Sequence, residues 1–203
     1  MIFSSKSHRA RKLRRTTTLM GAGLALVLPM TVLAGPPAEV LEYYWPDHQK
    51  SLTFKAKSHA FRGTLQLDPG SEVNIGGQTY RALQLSAKRL KPVDKVIYLR
   101  AGEQGLFRRY SKAEQSPETL ELKLPARAGD EWETVDRDGK PSTRRVESVG
   151  DCKVRGKAFT NCITVNFESK GMPAIAVFAP GYGEVVNSQI NGFVYRELAL
   201  QSP

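Results

Sequence analysis

Two cysteines stand ten positions apart, in Asp151-Cys152-Lys153-Val154-Arg155-Gly156-Lys157-Ala158-Phe159-Thr160-Asn161-Cys162. The Cys-x-x-Cys spacing of a thioredoxin-like redox site is absent. A zinc site needs two further ligands, and His48 and His59 are the only histidines beyond the first 34 residues. A free nucleophilic thiol leaves its partner unexplained. A structural disulfide uses both sulfurs. A hairpin turning through Gly156-Lys157-Ala158 is expected to set Cys152 directly opposite Cys162, where strand partners come within bonding reach. The flanks, Val146 to Val154 and Phe159 to Phe167, are β-branched or aromatic often enough to be strands. Closing so short a loop should stabilise by roughly 2–3 kcal/mol.

Other clusters fail as chemistry. Asp130, Glu131, Glu133, Asp136 and Asp138 crowd one stretch, but a calcium loop aligned on Asp138-Gly139 would begin at Thr134 and close on Arg145 rather than Glu. Asp138-Gly139 is more simply a hairpin turn. Paired carboxylates for glycoside hydrolysis are set by spatial separation, and nothing in the sequence singles out a pair. A Ser-His-acid triad would have to use His48 or His59. No Gly-x-Ser-x-Gly elbow presents a serine, and both histidines lie among Lys50, Lys55 and Lys57. Gly181-Tyr182-Gly183 lacks the third glycine, following helix and lysine of a nucleotide loop, so its glycines read as turn residues. No catalytic residue, metal-ligand set or cofactor follows, and the reading leans away from an enzyme.

Two features remain open. Tyr43-Tyr44-Trp45, just before Pro46, could stack on a sugar or acyl chain, or plug one end of a β-core with polar tips wet. The plug is the favoured reading. Arg108-Arg109 and Arg144-Arg145 are expected on solvated strand edges, where charge discourages aggregation. The alternative is contact with an envelope partner.

The N-terminal segment sets the compartment. Lys6, Arg9, Arg11, Lys12, Arg14 and Arg15 precede the apolar run Leu19 to Leu28 and the small-residue end Val32-Leu33-Ala34-Gly35, with no Asp or Glu among them. This is the pattern of a secretory signal cut between Ala34 and Gly35. The apolar stretch Leu19 to Ala34 contains Pro29 and falls short of the roughly 20 residues of a spanning helix. Gly35 stands where a lipoprotein would carry cysteine. The general secretory route is expected ahead of a twin-arginine route on Arg14-Arg15. The full chain carries a formal net charge of +10, and discarding the six cations leaves +4. That is ordinary surface charge and no nucleic-acid footprint. A periplasmic location is expected, with an extracellular one as alternative. An exported chain with paired cysteines also favours the disulfide.

These residues need elements to position them. Residues 35–50 read as a linker and aromatic segment, and 51–203 as a single β-domain. Strand candidates run from Ser51 to Ser58, Phe61 to Leu67, Glu72 to Ile75, Gln78 to Ala87, Lys95 to Arg100 and Gly105 to Tyr110. Beyond these come Glu118 to Leu124, Glu131 to Asp136, Thr143 to Val149, Pro173 to Ala179, Glu184 to Ile190 and Phe193 to Leu200. Asp68-Pro69-Gly70 is expected to end a strand, and Gly76-Gly77 marks a two-residue hairpin. In Glu118 to Leu124 the leucines alternate with Glu121 and Lys123, which places the charges outward. No convincing amphipathic helix follows the signal. About a dozen short strands joined by tight turns predict an all-β, antiparallel domain: a strongly curved sheet, half-barrel, barrel or sandwich.

Three motifs carry a resemblance. Tyr44-Trp45-Pro46 with Leu52-Thr53-Phe54, the Gly156 to Cys162 stretch, and Phe178-Ala179-Pro180-Gly181-Tyr182-Gly183-Glu184-Val185 together resemble a broad family of uncharacterised exported β-proteins and lipoproteins. Asp47-His48-Gln49-Lys50 departs from that family where a glycine is usual. The resemblance implies an all-β, half-barrel-like domain and carries no catalytic residues across. The expected function is non-enzymatic binding of an apolar or envelope-derived ligand in a concave sheet. The alternative is an interaction or structural subunit of a cell-envelope assembly, with a secreted hydrolase third. Expected partners exclude nucleic acid, and no membrane span is expected in the mature form.

Overall fold

The computed structural model describes residues 35–45, 50–58, 62–88, 95–169, 171–191 and 194–202, the side chains of 58, 88, 169, 190, 191 and 194–202 excepted. The segment expected to direct export, through Ala34, lies outside the described residues, as do Pro46, His48 and His59. Gly35 is exposed, and no helix among the described residues is long and apolar enough to cross a membrane.

A short helix, α1 (Ala38–Glu42), opens directly after Pro37 and closes with Tyr43 N–H donating to Val40 O. Proline is pre-set for a helix start and needs no amide partner there. Twelve strands follow. The first half comprises β1 (Leu52–Ser58), β2 (Arg62–Ile75), β3 (Gln78–Lys88), β4 (Val96–Gly102), β5 (Gly105–Arg109) and β6 (Thr119–Lys123). The second comprises β7 (Glu131–Val135), β8 (Pro141–Val154), β9 (Lys157–Ser169), β10 (Met172–Ala179), β11 (Gly183–Asn191) and β12 (Val194–Ser202). Asp68-Pro69-Gly70 does not end a strand. β2 runs through it, with a register shift between Pro69 and Glu72 that absorbs the proline, as bulges commonly do.

All twelve strands form one antiparallel sheet in the order β6-β5-β4-β3-β2-β1-β12-β11-β10-β9-β8-β7. Chain neighbours therefore pair throughout, except that β1 pairs with β12 and the consecutive strands β6 and β7 form opposite edges. The sheet is strongly curved, a half-barrel, and the curvature brings those edges back together. Trp132 Nε1 on β7 donates to Leu120 O on β6 at 3.0 Å, and Leu120 N–H donates to Thr134 Oγ1 at 2.9 Å. Register shifts in the β2–β3, β5–β6, β8–β9 and β10–β11 pairs supply local bends.

Period-two alternation sorts the faces. Leu52, Phe54 and Ala56 of β1 are buried, and so are Ala174, Ala176 and Phe178 of β10. Leu52 and Phe54 join one cluster on the inner face, around Trp45, Leu83 and Val185, and Ala176 and Phe178 join another around Val40 and Trp132. Each large apolar side chain so buried contributes about 1.5–3 kcal/mol. A smaller cluster of Ile75, Tyr80, Ala82 and Tyr98 lies on the opposite face. The segment after β5 reaches over it: Arg109 donates to Ala113 O and Glu114 O, and Tyr80 bonds Glu118.

Candidate functional site

The inner face carries charge as well as hydrocarbon. Arg108 follows Leu106 by two positions on β5 and shares its inward phase, and Arg144 precedes Val146 by two on β8 and shares its phase in the same way. Arg144 is 5% exposed and its Nη2 lies 2.8 Å from Glu121 Oε2. Its guanidinium covers the Phe167 ring at 4.5 Å. Arg108 bridges two carboxylates, with Nε 3.6 Å from Glu121 Oε1 and Nη2 paired to Glu184. Asn187 Nδ2 donates to the other oxygen of Glu184 at 2.5 Å. Two arginines and two glutamates thus balance in charge and join β5, β6, β8 and β11. Burial alone opposes charge on Arg108, but Glu121 and Glu184 outweigh it and hold its pKa well above the ordinary value. The adjacent Tyr110 phenol is raised, chiefly by burial, with Arg108 acting against the shift.

These placements correct two expectations. Arg108 and Arg144 are neither on solvated strand edges nor available to a partner. Arg145 alone of that pair is exposed, near Glu131. Glu121, expected outward, is 5% exposed. Leu106 of β5 opposes Leu122 of β6 while Phe107 opposes Leu120, so Glu121 is the extra residue of a bulge. A bulge breaks the alternation and re-aims a side chain, here into the interior.

The three motifs of the resemblance converge at one end of this inner face. Tyr43 and Trp45 are buried, and Tyr43 O–H donates to Asn161 O at 2.6 Å. Tyr44 O–H donates to Leu99 O at 3.1 Å. Gly181 N–H donates to Glu42 O at 2.6 Å, docking the turn before β11 on α1. At Gly183, φ is +65° and a Cβ would approach Trp45 Cβ and Tyr43 O to 3.2 Å, so the close packing requires glycine. Phe159 meets Tyr182 edge-on at 5.3 Å.

Cys152 and Cys162 are joined by a disulfide, with Cα atoms 5.8 Å apart. They are not directly opposite. The β8–β9 turn is two residues, Arg155 and Gly156, both at positive φ. Cys152 therefore faces Phe159 and Cys162 faces Gly150, with a register shift between. Asn161, at φ +54°, takes up the extra residue, a conformation asparagine tolerates better than most. Asp138-Gly139 forms a hairpin turn in which Asp136 Oδ1 accepts from Asp138 N–H and Lys140 N–H. Among the described residues no group of three His, Cys, Asp or Glu could hold a metal. An open recess of about 300 Å³ lies at β2 and β3, lined by Thr64, Gln66, Ser86 and Ala87.

No protein-family model matches this chain, and no curated protein sequence does. Two solved structures are similar to it. A presumed exported protein with a YmcC-like fold from Bacteroides fragilis is 10% identical, over 75% of this chain and 93% of its own, at a TM-score of 0.47. A presumed lipoprotein from Parabacteroides distasonis is 9% identical, over 75% of this chain and 94% of its own, at a TM-score of 0.37. Likenesses of that size assign nothing to this chain.

Proposed function

We propose that this protein is an exported, non-enzymatic domain that serves as a structural or interaction subunit of a cell-envelope assembly. The reading of export rests on the N-terminal signal pattern ending at Ala34-Gly35. One observation carries the rest: the concave face, where a ligand carrier keeps its cavity, is occupied by the protein's own side chains. Trp45, Phe54, Leu83 and Phe178 fill it, and Arg108, Glu121, Arg144 and Glu184 cross it. A charge network of this kind fixes shape and gives an apolar ligand no room. In this reading Tyr43 and Trp45 plug one end of the β-core, and the disulfide holds the hairpin that packs against them.

The apolar-ligand reading has one observation on its side, the recess at Thr64, Gln66, Ser86 and Ala87. Its volume reaches the lower end of ligand sites, but it stands open to solvent and three of its four lining side chains, Thr64, Gln66 and Ser86, carry polar groups. Native mass spectrometry of the protein isolated from its own envelope compartment separates the two. The expected result is a complex with another envelope protein and no added small-molecule mass. A retained lipid or other apolar ligand in place of a protein partner would overturn the proposal.

A further inference from the structure

We propose that the tip of the β8–β9 hairpin docks on an anionic phospholipid surface. The inference is independent of the assembly reading above. β8 pairs with β7 only over Pro141–Arg145, and β9 pairs with β10 only from Ile163 onward. Residues 147–162 thus form a two-stranded ribbon that extends past both neighbours, cross-linked by Cys152–Cys162. One side of the ribbon is tied down, because Val154, Phe159 and Cys162 belong to the core. Lys153 lies on the other side and Arg155 at the apex, while Lys157, paired with Val154, shares the tied side at its outer end; all three are exposed.

Charge and geometry agree at this tip. Among the described residues Lys153 and Arg155 have no ion-pair partner. Lys157 lies 4.5 Å from the Tyr182 ring centroid and 5.1 Å from that of Phe159, and donates to Tyr182 Oη at 3.1 Å. Those contacts orient its charge without neutralising it. Asp151 is the one carboxylate between Val149 and Cys162. Arg155 supplies a second, independent observation. It occupies the first central position of the turn at φ +48°, where Asn, Asp or Gly is favoured. Strained non-glycine residues of this kind concentrate at functional positions. A cation is held at the apex against the preference of its backbone.

Shape selects the partner. Acidic peptides are recognised by clusters of arginines or by addition to an open strand edge, and this tip carries a single arginine, Arg155. The free edge of β8 has register shifts at Val146/Ser148 and Gly150/Cys152, and bulged edges resist strand addition. A convex, rigid, basic tip fits a plane of phosphates instead. Each cation near such a surface strengthens binding about fivefold, so three give roughly a hundredfold.

The test is flotation with vesicles of equimolar phosphatidylglycerol and phosphatidylcholine, against phosphatidylcholine alone. Wild type and variants are isolated from the envelope compartment after export, in the form cut at Ala34-Gly35, so that the six cations of residues 1–34 do not mask the tip. Wild type should float with the anionic vesicles only and be released by high salt. Arg155→Asn should bind about fivefold more weakly while melting no lower than wild type, because asparagine suits the turn. Lys153→Gln/Arg155→Asn/Lys157→Gln should lose binding with its circular dichroism unchanged. Wild-type-like flotation by the triple variant, or no flotation of wild type at low salt, would overturn the proposal. Equal capture of the tip by soluble polyglutamate would assign it to an acidic protein and overturn it too.

Discussion

Arg144 on β8 and Glu121 on β6 meet at 2.8 Å across the seam where the two edges of the sheet return to one another. The same guanidinium reaches Glu121 O at 3.4 Å, so one arginine holds both the side chain and the main chain of the bulge. The ladder does not close this seam. Side chains do, and the stability of the closed shape rests on them.

Glu121→Gln removes the carboxylate that serves both Arg144 and Arg108. Breaking a buried pair strands a charge at a cost of about 3–5 kcal/mol. Urea unfolding should show a loss in that range. The double variant Arg144→Met/Glu121→Leu leaves Arg108 paired with Glu184 and should recover most of it, since well-packed apolar replacements of buried pairs are often neutral or better. A double-variant loss larger than that of Glu121→Gln, by the cost of Arg144→Met alone, would mean that these charges act independently.

Trp132 and Thr134 guard the exposed groups of β6 at Leu120. Trp132→Phe keeps most of the buried ring and removes the Nε1–H donor, leaving Leu120 O without that bond. The expected cost is about 1–3 kcal/mol. Hydrogen exchange should rise selectively in residues 119–123 and 131–135, where an opened seam uncovers amides. Exchange that rises uniformly would show a loss of global stability with no special role for the seam.

Much of this architecture was legible locally, and the exceptions have physical causes. Apart from β2, which joins two candidates across Asp68-Pro69-Gly70, the strand candidates overlap the observed elements because alternation and glycine turns are short-range signals, as at Gly76-Gly77. The pairing of β1 with β12 joins residues near opposite ends of the chain, and no local pattern encodes it. The inward course of Arg108 and Arg144 was readable in principle, since each sits two positions from a buried Leu106 or Val146. Residue type argued for solvent, and phase won. Glu121 was not readable. Its neighbours Leu120, Leu122 and Leu124 mark the core face by strict alternation, and only the bulge turns the carboxylate inward. Asn161 is the same case on β9, where one left-handed residue shifts the cysteines off direct opposition.

Reducing the Cys152–Cys162 bridge opens a loop spanning a sequence separation of 10. Loss of loop-closure constraint on the unfolded chain should lower stability by about 2–3 kcal/mol. Cys152→Ser/Cys162→Ser should match the reduced wild type in denaturant midpoint. It should also loosen Tyr43, whose hydroxyl bonds Asn161 O beside Cys162, and this is readable as faster exchange of the ribbon amides. A midpoint unchanged by reductant would place the constraint elsewhere, in the packing of Phe159 and Tyr182.

Alkaline pH should unfold the protein through its buried phenols. Burial is the largest cause raising Tyr43, Tyr80, Tyr98 and Tyr110 above the ordinary value of 10.0, with Glu42 and Glu39 adding at Tyr43 and the bond to Glu118 adding at Tyr80. A raised folded-state pKa means that the neutral phenol is favoured in the native protein and ionises more readily in the unfolded chain. Its stabilisation is complete below the unfolded value and is lost as pH climbs from there through the folded value. Stability should therefore fall above pH 10, and tyrosinate absorbance should rise together with the loss of β-sheet circular dichroism as one transition. Tyr80→Phe keeps the ring and removes one titrating group, so its alkaline midpoint should move upward relative to its own stability at neutral pH. Smooth tyrosinate formation with the sheet signal intact would show these phenols to be open to solvent.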